Sequence, residues 1–416
     1  ERTSVLFQPE EVLSLVETYK DRIPGLQPET QVYNSIMRAF AEGVNPQRSA
    51  EQVQQVFDKI TDSNSLQLTS QSYKTLMEAY IKAGDIESSI NVMDDVLAAT
   101  KLQENTSLRF ESDIFENGLV ACAGVKYRKG GLLAEEVLDQ MYRFYKAGIL
   151  GRKPGIDNHN SVINAWVKSE HPQAAEKAEG ILQRMNSMDS KPDTIIYTAV
   201  MDAWAKQGNA VQADRLLMEM YSQYTQGNKD LNPNIRSFTV VLDAHAKSNA
   251  YDAGIKAEHC LQLIWKLHNQ DMIDFRPNTV SYTCVINAWA GSGHPDAGPR
   301  AELVYADMIQ RVQKDKGSAS YALHSLANVW AKAGNVERAA GLIGNAHLEG
   351  VQANPHTITV IINAIARKGG INAGRDAEQF LRKIQKSELQ GSDPNTTIHN
   401  SVINAWAKSG RSDAGV

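Results

Sequence analysis

The sequence His-Asn-Ser-Val-Ile-Asn-Ala-Trp-Val-Lys-Ser at residues 159–169 returns at residues 399–409, where Ala407 replaces Val167 as the single difference. Recurrence over such a distance is typical of a repeat protein. Within the stretch, His159, Val162 and Trp166 follow the three-, four- and seven-residue spacing of one helix face. The stretch therefore predicts a helix that is used once in each repeat.

The same spacing occurs in ten segments along the chain. They begin at Tyr33, Tyr73, Phe115, His159, Tyr197, Phe238, Tyr282, Leu323, Ile358 and His399. A second helical stripe follows each complete segment, as in Ala257/Cys260/Leu261/Ile264. We expect two antiparallel helices per repeat, with the first helix beginning at the aromatic or apolar residue and ending near a Gly or Asn such as Gly84 or Asn249.

The chain has 416 residues, a formal net charge of −5 and 42% hydrophobic residues. A stack of short repeats builds its core between neighbours, so the pattern predicts an all-α solenoid rather than several globular domains. No run of about 18 apolar residues is present, which predicts no membrane span. The acidic balance disfavours a nucleic-acid partner, because such proteins usually show a basic excess. The three cysteines, Cys122, Cys260 and Cys284, lie among apolar positions without metal-type spacing and are predicted to be core thiols.

Several motifs occur together in these repeats. Tyr-Thr or His-Asn opens the first helix, Ala-Trp-Ala-Lys closes it, an Ala-rich second helix ends in Met, and Pro-Asp or Pro-Asn stands at the boundary, as at Pro192-Asp193. Over residues 28–410 this combination resembles the pentatricopeptide repeat (PPR) family. The resemblance implies a right-handed α-solenoid superhelix of about ten helix-turn-helix repeats. Most repeats here exceed the thirty-five residues typical of that family, so the chain resembles a long-repeat variant.

Members of this family bind single-stranded RNA, one base per repeat. The resemblance implies that the residue after the first-helix aromatic and the last residue before the next repeat contact one base. These base-readout positions are Asn160 with Asp193, Thr198 with Asn234, Thr239 with Asn278, Thr283, His324 with Asn354, Thr359 with Asn395, and Asn400. The first pair resembles a uridine-type pair, and the Thr-Asn pairs resemble adenine-type pairs. The alternative is that these Thr and Asn residues only solvate or cap the helix start.

Two further rows accompany the readout positions. Residues that alternate with them, Ile195, Arg236, Val280 and Tyr321, are candidates for base stacking. A basic residue stands two places after the last apolar position in seven of ten repeats, namely Lys82, Lys168, Lys206, Lys247, Lys332, Arg367 and Lys408. Regular placement predicts a track for phosphates. A cation at a helix C-terminus, favoured by the helix dipole, is the equally weighted alternative.

The N-terminal repeats carry less suitable readout pairs, such as Lys74 with Glu111 and Glu116 with Gly155. We therefore divide the chain into residues 1–27, a partial repeat or cap, residues 28–155, PPR-like repeats with degenerate readout, and residues 156–416, readout-competent repeats of which the last is truncated.

The sequence predicts no catalytic residues, no metal site, no cofactor and no small-molecule substrate, because it lacks clustered His and Cys and any Gly-rich phosphate loop after a strand. The leading hypothesis is a sequence-selective single-stranded RNA-binding protein for organellar transcripts. The alternative is a protein-interaction scaffold or structural subunit of a ribonucleoprotein assembly such as a mitochondrial ribosome. A mitochondrion or plastid is implied by the resemblance alone, since no targeting segment is visible.

Overall fold

The structure, a computed structural model, describes residues 8–22, 28–63, 65–101, 108–125, 129–186, 191–312, 316–348, 350–386 and 395–409. Helices joined by short turns dominate these residues, and an isolated β-bridge joins Phe110 to Leu150. Within the same ranges, no helix combines the length and apolar character that crossing a bilayer requires.

The chain folds as two units, of which unit 1 comprises Glu1–Pro192. Its helices are α1 (Pro9–Arg22), α2 (Thr30–Ala41), α3 (Pro46–Thr61), α4 (Ser70–Ala83), α5 (Ile86–Lys101), α6 (Asp113–Cys122), α7 (Lys129–Lys146), α8 (Ile156–Lys168) and α9 (Ala174–Asn186). The first helices α2, α4, α6 and α8 contact one another in chain order, and α3, α5 and α7 each pack between two of them. Unit 1 is thus a stack of helix pairs.

Unit 2 comprises Asp193–Val416 and repeats the same plan. Its helices are α10 (Thr194–Lys206), α11 (Ala210–Thr225), α12 (Ile235–Ser248), α13 (Ala253–Asn269), α14 (Thr279–Ser292), α15 (Ala297–Arg311), α16 (Lys316–Lys332), α17 (Val336–Leu348), α18 (Pro355–Lys368), α19 (Ala373–Lys386) and α20 (Thr396–Lys408), with a 3₁₀ turn at Lys229–Leu231. Successive first helices, α10 to α20 in even numbers, contact one another, and each second helix packs against both first helices that flank it in sequence. The expected α-solenoid organisation is confirmed within each unit.

The core follows the predicted helical stripes. On α14, Tyr282, Val285 and Ile286 are fully buried, and Trp289 is 2% exposed. On α8, Trp166 is among the largest fully buried side chains. The stripe of each first helix is therefore the surface on which the two neighbouring second helices pack, as the three- and four-residue spacing predicts.

The predicted start of the first helices was wrong by about one turn. Helices α10, α12 and α14 begin three residues before Tyr197, Phe238 and Tyr282. The reason is local, because the boundary Asp or Asn is itself the N-cap, with extended backbone and a side chain that accepts from the helix. The predicted helix ends are confirmed at Gly84, with φ of 77°, and Asn249, with φ of 50°, which both close a helix in the left-handed conformation.

Packing divides the chain at residue 192, one repeat later than the change in readout residues predicted after residue 155. The two divisions concern different properties, so the predicted ranges 28–155 and 156–416 stay a prediction about readout. Residues 1–7 and 23–27 of the predicted N-terminal cap, and residues 410–416 of the last repeat, lie outside the described residues.

Candidate nucleic-acid interface

The residues at the repeat boundaries cap the first helices. The Oδ1 atoms of Asp193 and Asn234 accept hydrogen bonds from the backbone N–H groups of Ile196 at 2.9 Å and Ser237 at 3.0 Å. Asn278, Asn354 and Asn395 accept in the same way at 3.0, 2.8 and 3.1 Å. These residues therefore cap the first helices, and the caps leave the Asn Nδ2 groups without an acceptor among the residues that the structure describes.

A buried hydroxyl residue that the sequence analysis missed fixes the orientation of three caps. Ser237, Ser281 and Thr357 are fully buried. Their hydroxyl groups donate to the Oδ1 of Asn234, Asn278 and Asn354, at 3.3, 3.1 and 2.9 Å respectively. Because Oδ1 accepts twice, the group that each amide offers to a ligand is the Nδ2 donor. In the sequence, these hydroxyl residues are recognisable as the Ser or Thr directly before the first-helix aromatic or apolar residue.

The readout threonines use their hydroxyl protons on the backbone. Oγ1 of Thr239 donates to the carbonyl of Ile235 at 2.7 Å, and Thr283 and Thr359 donate likewise to Thr279 and Pro355 at 2.8 and 2.9 Å. All three residues are half-buried. Since the proton is used, each hydroxyl offers only its lone pairs to a ligand, and the threonines are acceptors.

Thr198 follows this pattern but is less accessible. Its Oγ1 donates to the carbonyl of Thr194 at 2.7 Å and lies 3.0 Å from Oγ of Ser237, and the residue is 6% exposed. Thr239 is therefore the better reader for experiments. His324 is also half-buried, and burial together with the neighbouring His356 lowers its pKa, so the ring is held neutral.

Asn160 lies in unit 1, whereas Asp193, which the resemblance pairs with it, lies in unit 2. Asn160 is half-buried, and its Oδ1 accepts a hydrogen bond from Nδ2 of Asn164 at 3.4 Å. Because Oδ1 is used in this contact, the Nδ2 donor of Asn160 is the group that it offers to a ligand. Asn400, the equivalent residue of α20, is exposed, as is its preceding cap Asn395.

In the first three repeats of unit 1, by contrast, readout positions have partners from the neighbouring repeat. Asn34 donates to Oγ1 of Thr69 at 3.1 Å and accepts from Oγ of Ser72 at 2.7 Å, so both ends of its amide are occupied. Lys74 Nζ lies 2.6 Å from Oδ2 of Asp113, and this hydrogen bond raises the pKa of Lys74.

Glu116, the readout residue of α6, completes this set. Its Oε1 lies 3.7 Å from Nη2 of Arg152. The readout positions of α2 and α4 are thus occupied by contacts within unit 1, whereas Glu116 of α6 is paired but exposed.

The side chains of the base-stacking candidates in unit 2 are exposed to solvent. Ile195, Val280 and Tyr321 are 61, 55 and 68% exposed, which is unusual for side chains of this size. Arg236 is also exposed, and His356, which the sequence analysis missed, is exposed at the equivalent position of α18. Each lies three residues before a readout position, near the start of a first helix. Apolar, planar and cationic groups of this kind can pack against the faces of bases.

The seven basic residues lie in the last turns of their helices and are exposed. Lys82 and Lys332 donate to carbonyls near the end of the preceding first helix, Ala41 at 3.2 Å and Ala290 at 3.1 Å. The helix-dipole alternative therefore holds for these two residues. Lys168 and Lys408 form no ion pair or hydrogen bond with the described residues, and Lys206 and Lys247 pair with Asp202 and Asp243.

Part of the acidic charge is compensated between second helices. Glu135 of α7 pairs with Arg184 of α9 at 3.1 Å, and Glu302 of α15 pairs with Arg338 of α17 at 2.8 Å. Glu258 of α13 pairs with Arg300 of α15. These carboxylates have cationic partners on neighbouring second helices.

No group of three His, Cys, Asp or Glu residues in the described part of the chain could hold a metal ion. Burial raises the pKa of the thiols of Cys122, Cys260 and Cys284 to about 12, so they stay protonated at neutral pH.

Two family models match the chain, the pentatricopeptide repeat domain at residues 180–248 and the PPR repeat at residues 71–98. The small ribosomal subunit protein mL103 of Arabidopsis thaliana is 25% identical over 223 residues, which are 53% of this chain and 47% of that protein. A mitochondrial pentatricopeptide repeat-containing protein of the same plant is 24% identical over 209 residues, 49% of this chain and 42% of its own length. The chain thus spans less than half the length of these relatives.

Among solved structures, the maize pentatricopeptide repeat protein PPR10 aligns with 97% of this chain and 54% of its own, at 16% identity and a TM-score of 0.47. The recurring sequence motifs, the paired helices of each unit and the two family models agree, and residues 71–98 and 180–248 of this chain match pentatricopeptide repeats.

Proposed function

We propose that this chain is a sequence-selective single-stranded RNA-binding protein that acts on transcripts of a mitochondrion or plastid. The observation that carries the proposal is the pairing, at consecutive boundaries of unit 2, of a threonine acceptor with an asparagine donor. Thr239 with Asn278 and Thr359 with Asn395 each combine a half-buried threonine with an exposed asparagine, and Thr198 with Asn234 repeats the pair with a buried threonine.

The polarity of the pair fits a base edge. Adenine and cytosine present an exocyclic amine as donor and a ring nitrogen as acceptor on the Watson–Crick edge. A threonine acceptor facing the amine and an asparagine donor facing the ring nitrogen satisfy both groups. An Asn donor with an Asp acceptor has the reverse polarity, which fits uracil. The family resemblance favours adenine over cytosine for the Thr-Asn pairs.

Exposed side chains at the stacking positions, and a cation two helical turns after every reader except Thr283, support the same role. Eight residues separate Thr239 from Lys247, so the two lie about 12 Å apart along the helix axis at about 1.5 Å per residue. Binding alone accounts for the proposed role, because a held RNA segment is kept from nucleases and pairing strands or guided to a ribosome. The role needs no catalytic step, metal or cofactor.

The test is titration of the chain with labelled short single strands, rich in A or rich in U, at several salt concentrations. We expect preference for the A-rich strand. The logarithm of the binding constant should fall with the logarithm of the salt concentration, with a slope of about −0.7 for each phosphate contact. A matched RNA duplex should bind more weakly. A slope near zero, or equal affinity for A-rich, U-rich and duplex RNA, would overturn sequence-selective binding.

A second candidate is a structural subunit of a ribonucleoprotein assembly. The readout positions Asn34, Lys74 and Glu116 already have partners within unit 1, which favours this candidate for that unit, and one relative is named as a ribosomal subunit protein. Gradient sedimentation of an organelle extract separates the two candidates. A structural subunit should migrate with the small ribosomal subunit after a high-salt wash, whereas a transcript-binding protein should be released.

A further inference from the structure

A third polar position lies between the reader and the cation on the first helices. It follows the readout residue by four places and precedes the basic residue by four, so one helix presents all three in adjacent turns. In α8 and the first helices of unit 2, the residues at this middle position are Asn164, Asp202, Asp243, Asn287, Asn328, Asn363 and Asn404. Their identity varies only between Asn and Asp, although the two differ by a full charge at neutral pH.

Where the middle residue is Asp, it forms an ion pair with the cation of its own helix. Oδ2 of Asp202 lies 3.5 Å from Nζ of Lys206. Oδ2 of Asp243 lies 2.5 Å from Nζ of Lys247. Both pairs are partly exposed, with 48 and 46% of the lysine side chains accessible.

Where the middle residue is Asn, this position supplies no carboxylate to pair with the cation. Lys408 has no ion pair among the described residues, Lys332 contacts the neutral carbonyl of Ala290, and Arg367 contacts the carbonyl of Asn363 at 3.4 Å. The helix with Asn287 has Gly291 in place of a cation.

From these contacts we infer that the middle residue determines how strongly each repeat binds the RNA backbone. An Asp competes with the phosphates for the cation and weakens binding, whereas an Asn leaves the cation available. The inference rests on the proposed RNA-binding function. It gives the first helices of unit 2 different roles, since α10 and α12 carry Thr-Asn readers with neutralised cations, whereas α16, α18 and α20 carry uncompensated cations. Phosphate binding in unit 2 is therefore strongest at α16, α18 and α20, whereas α10 and α12 contribute mainly base discrimination.

The test replaces Asp202 and Asp243 together by Asn in the full chain and measures affinity for the A-rich strand against salt. Release of two cations adds two phosphate contacts, so the salt slope should steepen by about 1.4. The matched control is Asp252→Asn, which removes an equally exposed Asp–Lys pair, Asp252–Lys256 at 2.8 Å, from second helix α13. The control should leave the slope at its original value.

A reciprocal variant, Asn363→Asp with Asn404→Asp, should flatten the slope by a similar amount. Preference between A-rich and U-rich strands should stay the same in all these variants. If the original chain binds RNA but Asp202→Asn/Asp243→Asn leaves its slope unchanged, or the Asp252→Asn control shifts equally, the inference is overturned and the proposed function survives. If the original chain shows no salt-dependent RNA binding, the proposed function itself fails.

Discussion

A Cβ atom added to Gly254 of α13 would lie 2.2 Å from Cδ2 of Trp289 on α14, far inside van der Waals contact. The same relationship joins Gly131 to Trp166, Gly298 to Trp330 and Gly374 to Trp406, with distances of 2.3 to 2.5 Å for the first two and 2.2 Å for the last. A glycine near the start of one second helix thus accommodates the indole ring of the next first helix. This contact is one reason why neighbouring repeats pack closely.

Gly254→Ala should lower the free energy of unfolding, because the added methyl group forces the Trp289 ring from a packed position at a cost of about 1 to 3 kcal/mol. The better helix propensity of Ala offsets about 1 kcal/mol of that cost. Urea unfolding followed by circular dichroism measures the change. Gly341→Ala on α17 is the control, since nothing lies within 4 Å of its added Cβ, and it should be neutral or stabilising. Equal effects in both variants would contradict the packing argument.

Thr239→Asn combined with Asn278→Asp should move base preference at one position from adenine towards uracil. The exchange reverses which residue donates and which accepts, and a mismatched hydrogen bond costs about 1 kcal/mol. Asp is also a good N-cap, so α14 should keep its start. Competition between strands that differ at one base measures the shift. Thr283→Asn, whose partner position is Ala319, is the control and should change no preference.

Lys332→Met should weaken RNA binding and flatten its salt dependence by about 0.7, the value for one lost phosphate contact. Lys74→Met in unit 1 should leave both unchanged, because Lys74 is already paired with Asp113. Titration with the A-rich strand at several salt concentrations measures both variants. Equal losses in the two would indicate that the repeats of residues 28–155 also contact RNA and would contradict the proposed division of the chain.

Stability should decrease as pH falls through the range in which an unfolded histidine protonates. His159 is 2% exposed, and burial lowers its pKa, while Nε2 lies 3.0 Å from the Tyr142 hydroxyl. The unfolded chain therefore binds more protons below a pH of about 6.5, and stability is lost there at no more than about 1.4 kcal/mol per pH unit.

His159→Phe should reduce this slope between pH 7 and pH 5, as measured by urea unfolding at each pH, because phenylalanine has no proton to bind. Phe238 fills the equivalent position of α12, so the substitution suits the site. His347→Gln, on an exposed residue, should leave the slope intact. A slope that is equally steep with and without His159 would assign the pH dependence to other groups.

Much of the fold could be predicted because its signals are local. The spacing of Tyr282, Val285 and Trp289 predicts a buried helix face, and Asn278 before that helix predicts its cap. The helix starts three residues before the aromatic residue, because the residue that ends the extended segment is the Asn or Asp cap and the first turn carries no apolar periodicity signal. The middle position with Asp202 and Asp243 was also readable, since an i, i+4 Asp–Lys pair needs no knowledge of other repeats.

By itself, the sequence determined that this protein consists of repeated helix pairs with regularly spaced readers and cations, because helix periodicity and capping depend on residues only a few places apart. The tertiary structure decided which of those side chains are available. Thr69 and Ser72 occupy both ends of the Asn34 amide, and Asp113 pairs with Lys74. Partners from the neighbouring repeat stand some forty residues away along the chain, so only the packing of one helix pair on the next brings them within hydrogen-bond distance.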